Sequence, residues 1–103
     1  MILEAAILEI RPGTDQEFEA AFREASPIIA SMPGYLGHDL HRCIESAERY
    51  LFLVRWERLE DHTEGFRLAP EYQEWRRLLH HFYEPFPTVE HFEVVDLSGQ
   101  SVE

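Results

Sequence analysis

Six histidines stand among the 103 residues, and each can change charge near neutral pH. His62 is the most informative, because its helical phase turns it inward beside Phe66 rather than toward solvent. A neutral imidazole in a pocket between helices and sheet can abstract a phenolic or enolic proton. The competing reading is a core histidine satisfied by one backbone carbonyl. His80 and His81 are adjacent, so on a helix they point about 100° apart and cannot share one pocket. His80 flanks the inward face beside Arg76 and Tyr83, which leaves His81 to solvent. His91 shares a strand register with Val89 and Glu93 and can approach a pocket or a dimer seam. His38 and His41 face opposite sides of a strand. A site built from His62, His80 and His91 lacks metal-ligand spacing, so no metal is expected.

The second half of the chain is rich in aromatic residues. A flat pocket for a planar ring can be lined by such side chains, which stack offset or edge-on. Phe66 and Trp75 fit that role best, because they flank the interruption Leu68-Ala69-Pro70, where a helix break opens space. Tyr83 supplies a further wall. Tyr72, Leu79 and Phe82 repeat at helical spacing and read as core. Arg67 and Arg76 read as surface partners of Glu64, Glu71 or Glu74. The alternative for Arg67 is an inward anchor for a carboxylate or enolate. Cys43 packs as a small hydrophobe.

The elements that must position these groups follow from periodicity. Residues 2–10 read as a first strand closed by Arg11-Pro12-Gly13. Thr14 and Glu17 have the spacing of a capping box. The helix they open carries Phe18, Ala21, Phe22, Ala25, Ile28, Ile29 and Met32 as one apolar stripe, with a kink expected at Pro27. Tyr35 to Ile44 reads as a second strand, and Glu45-Ser46-Ala47-Glu48 as the turn into a third, Arg49 to Glu57. A helical pattern follows in which Leu59, His62, Thr63 and Phe66 share a face. Pro70 then suits the first turn of a new helix bearing Tyr72, Trp75, Leu79 and Phe82 inward. Val89 to Leu97 reads as the last strand. Residues 1–97 make one domain, and 98–103 a flexible tail.

Bulk composition removes whole classes of function. The net charge is −11, and the nine basic residues are all Arg. Nucleic-acid binding needs clustered positive charge to neutralise phosphates, and docking on anionic lipid needs the same. One cysteine permits no internal disulfide. The first residues lack a basic leader, and no apolar run has membrane-spanning length. A cytoplasmic protein is expected.

Strand–helix–strand–strand–helix–strand is the ferredoxin-like α+β arrangement, an antiparallel four-stranded sheet with helices on one face. In Tyr50 to Trp56 the residues Tyr50, Phe52, Val54 and Trp56 share one face, whereas Leu51 and Leu53 lie on the other. A strand with one solvated face should alternate apolar with polar, and this one does not. The chain has too few helices to cover both faces. A homodimer through the sheet faces resolves the excess.

The chain resembles the antibiotic biosynthesis monooxygenase family of dimeric α+β barrels over about residues 2 to 96. The similarity rests on Arg11-Pro12-Gly13, Pro33-Gly34-Tyr35 and Trp56-Glu57. It extends through His62-Thr63-Glu64-Gly65-Phe66-Arg67, Tyr72-Gln73-Glu74-Trp75, the stretch from His80 to Pro87, and Val89-Glu90-His91-Phe92. The resemblance implies a cofactor-independent monooxygenase acting on a small aromatic or quinol-type molecule, with His62 as base or hydrogen-bond donor. Phe66, Trp75, Tyr83, His80 and His91 would contact the substrate. Haem-degrading members use an Asn, a Trp and a haem-ligating His. Approximate matching places Ala6, Gly65 and Trp75 there, which speaks against haem. The polyketide oxygenases also use an Asn, and this chain contains none. The rival expectation is therefore a non-catalytic dimeric module of the same fold that binds an apolar metabolite or serves as structure.

Overall fold

A computed structural model describes residues 1–100; residues 101–103, the end of the expected tail, lie outside the described residues. Four strands, β1 (Ile2–Glu9), β2 (Tyr35–Arg42), β3 (Arg49–Trp56) and β4 (Val89–Glu93), form one antiparallel sheet in the order β2-β3-β1-β4. Helix α1 (Asp15–Ala30), a π-helix at Asp61–Phe66 and helix α2 (Glu71–Leu79) lie on one face. This is the ferredoxin-like order expected from the sequence, and β1 and β3 run side by side through its centre.

The inward register decides the core. Tyr50, Phe52, Val54 and Trp56 are all buried, as the alternation in β3 requires, and pack with Phe18, Phe22, Ala25 and Ile29 of α1. Each large apolar side chain removed from water contributes about 1.5–3 kcal/mol. Opposite them, on the outer face, Ile7 and Phe92 remain 49% and 50% exposed, and Leu51 and Leu53 are partly open. Pairing Ile7 with Leu51, Ala5 with Leu53 and Leu3 with Phe92 puts these apolar groups on one continuous surface.

Several local expectations are corrected. β4 stops at Glu93 rather than Leu97, because its neighbour β1 begins at Ile2, which pairs with Glu93. Beyond that point Val94, Val95 and Leu97 have no strand to pair with and are exposed. Ser98–Gln100, inside the expected tail, form a short 3₁₀ turn. β2 ends at Arg42, leaving Ile44 in solvent. Thr14 gives no side-chain cap; its hydroxyl donates to the Arg11 carbonyl at 2.6 Å, so the capping box does not close. α1 runs through Pro27 unbroken. The pattern from Leu59 is a π-helix, closed by Arg67 N–H donating to the His62 carbonyl at 3.0 Å, and Leu59 itself is exposed.

The entry into that π-helix is fixed by Gly34. Its φ of +84° favours glycine, and a Cβ there would overlap the Asp61 carboxylate at 2.1 Å. Asp61 in turn accepts from the Arg58 backbone N–H at 3.0 Å. The residue that starts the π-helix is thus clamped against the β2 turn, and His62 follows it. No helix among the described residues is long and apolar enough to cross a membrane.

Candidate functional site

Between the sheet and the second helical segment lies a cavity of about 220 Å³. Its floor is the inward register of β1, namely Glu4, Ala6 and Leu8, with Phe52 of β3 beside them. The π-helix contributes His62, Phe66 and Arg67, α2 contributes Tyr72 and Trp75, and the following turn adds His80, Tyr83 and Phe86. Five of the six residues singled out in the sequence, His62, Phe66, Trp75, Tyr83 and His80, therefore face one space. The sixth, His91, reaches it through His62: His62 Nδ1 and His91 Nε2 are 2.8 Å apart. His81 is exposed, as the helical phase required.

The residue sequence reasoning missed is Glu4. It is only 4% exposed, and so is His62. Trp56 Nε1 donates to Glu4 Oε1 at 2.9 Å, and His62 Nε2 stands 3.5 Å from Glu4 Oε2. The Trp56 indole also stacks on the His62 ring, with centroids 5.8 Å apart and 22° between planes. One tryptophan thus holds both members of the pair. Glu4 was legible in principle: it is the one charged residue in the inward register Ile2, Glu4, Ala6, Leu8.

Electrostatics decide what the pair is. Burial pushes the Glu4 carboxyl up to about 7, against the opposing pull of the Trp56 hydrogen bond and the Arg67 charge. Burial pushes His62 down to about 3, aided by Arg67 and His91. Near neutral pH the two are therefore not an ion pair. They are a neutral imidazole beside a carboxyl poised between its acid and its anion. His80 is likewise held down to about 4 by burial and Arg76, and burial raises Tyr83 and Tyr72 above the ordinary phenol range. Arg67 forms no ion pair among the described residues, yet its charge is felt by Glu4, His62, Tyr72 and His91. Its side chain is exposed, as the surface reading required, but it stands at the cavity without pairing with Glu64 or Glu71.

A second histidine network lies under α1. Tyr35 Oη and His38 Nδ1 are 2.5 Å apart, and His38 Nε2 is 3.0 Å from Ser26 Oγ. Ser26 also donates to the Phe22 carbonyl at 2.9 Å. Its neighbouring space is an open cleft of about 540 Å³ rimmed by Glu19, Arg23 and Arg42. Among the described residues no three metal-ligating side chains converge. The cavity beside Glu4 can hold a small planar ring, since a void on the order of 150 Å³ already admits benzene.

A family model described as antibiotic biosynthesis monooxygenase matches residues 1–78. The chain belongs to that family. Among curated relatives, the uncharacterised protein YczJ of Bacillus subtilis (strain 168) is 62% identical over 95 residues, covering 92% of this chain and 100% of the relative. A candidate antibiotic biosynthesis monooxygenase of Bordetella bronchiseptica, solved as a crystal structure, is 36% identical with a TM-score of 0.87, covering 92% of this chain and 97% of its own. SnoaB of Streptomyces nogalater, a cofactor-independent oxygenase, superposes with a TM-score of 0.70 at 21% identity, over 92% of this chain and 93% of its own. At that identity the likeness to SnoaB is one of fold. Membership of the antibiotic biosynthesis monooxygenase family agrees with the four-stranded antiparallel sheet and its helices.

Proposed function

We propose that this family member is a cofactor-independent monooxygenase acting on a small phenol or quinol bound in the cavity. The observation that carries the reading is a carboxyl poised near 7 in the floor of an aromatic-lined cavity. A phenol must lose its proton before its ring is electron-rich enough to react with dioxygen. Glu4, in its anionic form, is the base best matched to that task, because a general base works best with a pKa near the working pH. His62, held near 3, is too weak to take the proton itself and acts as the hydrogen-bond partner of Glu4. Arg67 balances the phenolate that forms, and Phe66, Trp75, Tyr83 and His80 shape the slot around the ring. With a hydroquinone the sums close without a cofactor. One oxygen atom enters the ring, the other leaves as water, and all four electrons come from the substrate.

The reading includes a homodimer through the outer sheet face. Ile7, Leu51, Leu53 and Phe92 make an apolar surface larger than isolated exposed residues require. A stable dimer covers roughly 800 Å² on each partner, an area a four-stranded sheet can supply. Leu53→Arg places a charge in that surface and is expected to halve the mass measured by light scattering. A wild-type chain that already sediments as a single subunit at micromolar concentration would remove the dimer. We place the protein in the cytoplasm, where its lone Cys43 stays reduced.

Oxygen-electrode screening of hydroquinones and phenols, without added metal or flavin, tests the activity. Uptake that disappears in Glu4→Gln is the expected result. Tight binding of a panel member by the wild type with no uptake at all would leave a binding module instead.

A further inference from the structure

Glu4 raises a problem of supply: a base only 4% exposed can accept one proton and must then discharge it. Two polar partners reach it among the described residues. Trp56 Nε1 is a donor only and cannot carry a proton away. His62 can, because an imidazole accepts at one nitrogen and releases at the other. Its Nε2 faces Glu4 Oε2 at 3.5 Å, and its Nδ1 faces His91 Nε2 at 2.8 Å. His91 stands directly across from Glu4 in the β1–β4 pairing, half-buried on the edge strand of the sheet. The three groups form a line from the cavity floor to the sheet edge.

The geometry points to a proton wire, Glu4–His62–His91, through which the cavity carboxyl exchanges its proton with solvent while both imidazoles change tautomer together. Hydrogen-bond direction forces the coupling. When Glu4 is protonated its hydroxyl donates to His62 Nε2, so His62 carries its proton on Nδ1 and donates to His91 Nε2, and His91 carries its own on Nδ1. When Glu4 is ionised it accepts from His62 Nε2–H, so His62 Nδ1 must accept from His91 Nε2–H. Passing between these states moves three protons by one place each. The Glu4 proton goes to His62 Nε2, the His62 Nδ1 proton goes to His91 Nε2, and the His91 Nδ1 proton goes to water. Each O–H or N–H bond that breaks is matched by one that forms, and no electrons change hands. The longest step, 3.5 Å, needs to close by about 0.5 Å to become an ordinary hydrogen bond.

The wire deepens the oxygenase reading, and rests on it only for the source of the proton: a phenol's proton delivered to Glu4 leaves at β4 and returns the same way when reduced oxygen needs it. The other charged or titratable groups facing this line are Arg67, Tyr72, Tyr83 and His80. Arg67 favours the ionised carboxyl and disfavours any imidazolium, which keeps the traffic in the neutral tautomers.

Nitrogen-15 spectra of histidine-labelled wild-type protein test the wire without any substrate. As the Glu4 carboxyl titrates, the pyrrole-like and pyridine-like resonances of both His62 and His91 are expected to exchange places together. In Glu4→Gln, which folds around a neutral amide, the exchange is expected to vanish. A His62 that keeps one tautomer, inverts without His91, or becomes an imidazolium would overturn the wire, as would inversion that persists in Glu4→Gln. Inversion without oxygen uptake would keep the wire and remove the oxygenase; uptake without inversion would do the reverse.

Discussion

The molecule holds two histidines with both ring nitrogens engaged, and their surroundings differ in one decisive respect. His38 sits between Tyr35 and Ser26 beneath α1, next to an open cleft. His62 sits between Glu4 and His91 beside the aromatic-lined cavity. The partners of His38 are hydroxyl groups, whose protons stay on oxygen across the ordinary pH range, so that network fixes geometry and stores no mobile proton. The partner of His62 is a carboxyl that burial has lifted to about 7. A hydrogen-bonded histidine is therefore not in itself a site. It becomes one where a neighbouring group can gain or lose a proton and a cavity brings a substrate to it.

The sharpest way to break that contrast is to treat both networks alike. Glu4→Gln is expected to lower oxygen uptake by on the order of 10²- to 10⁴-fold, the span general-base groups supply. Binding of the ring should survive, because Gln keeps the shape of the floor. His38→Gln should leave uptake within about three-fold, a difference too small for proton transfer. Equal losses in both variants, read on the oxygen electrode, would erase the distinction. The wild-type rate should also rise as pH increases through about 7, because the working form of Glu4 is the anion.

Stability gives the next largest difference. A carboxyl whose folded pKa lies above its unfolded value favours folding of the protonated form. Stability is then lost as pH rises from the ordinary 4.5 toward the folded 7. Glu4→Gln removes the ionisation and should stabilise the fold by up to about 3 kcal/mol at pH 8, with the gain vanishing below pH 4.5. Urea midpoints at the two pH values check it. A site that keeps a costly ionisable group is expected where function needs it.

How much of this was legible in the chain follows the strength of each physical signal. The two-sided apolar character of Tyr50 to Trp56 and the strand–helix order were enough for the sheet. The phase of His62 against Phe66 held even though the segment is a π-helix, because both residues point inward in either geometry. Phe66 and Trp75, which flank the Leu68-Ala69-Pro70 break, both line the cavity. Glu4 escaped notice because a single glutamate among Ile2, Leu3, Ala5 and Ala6 looks like an edge residue until its register is read. The end of β4 escaped for a different reason: the apolar pattern continues to Leu97, but pairing needs a neighbour, and β1 starts at Ile2.

Ser26→Ala removes one hydroxyl from the His38 network and should cost about 1 kcal/mol, the net worth of an ordinary hydrogen bond. Thermal unfolding of that variant should show no change in the pH dependence of the wild type. A pH dependence that shifts with Ser26 would mean that the His38 network also carries a mobile proton.

Glu4 and His62 stand as a carboxyl that titrates near neutral pH beside an uncharged imidazole, not as a carboxylate and an imidazolium. Carbon-13 observation of the Glu4 carboxyl across pH, in the wild-type protein, measures this directly. The carboxyl is expected to titrate near 7 while His62 stays uncharged down to about 3. A carboxyl that titrates at its ordinary 4.5, beside a His62 that is cationic at neutral pH, would contradict it.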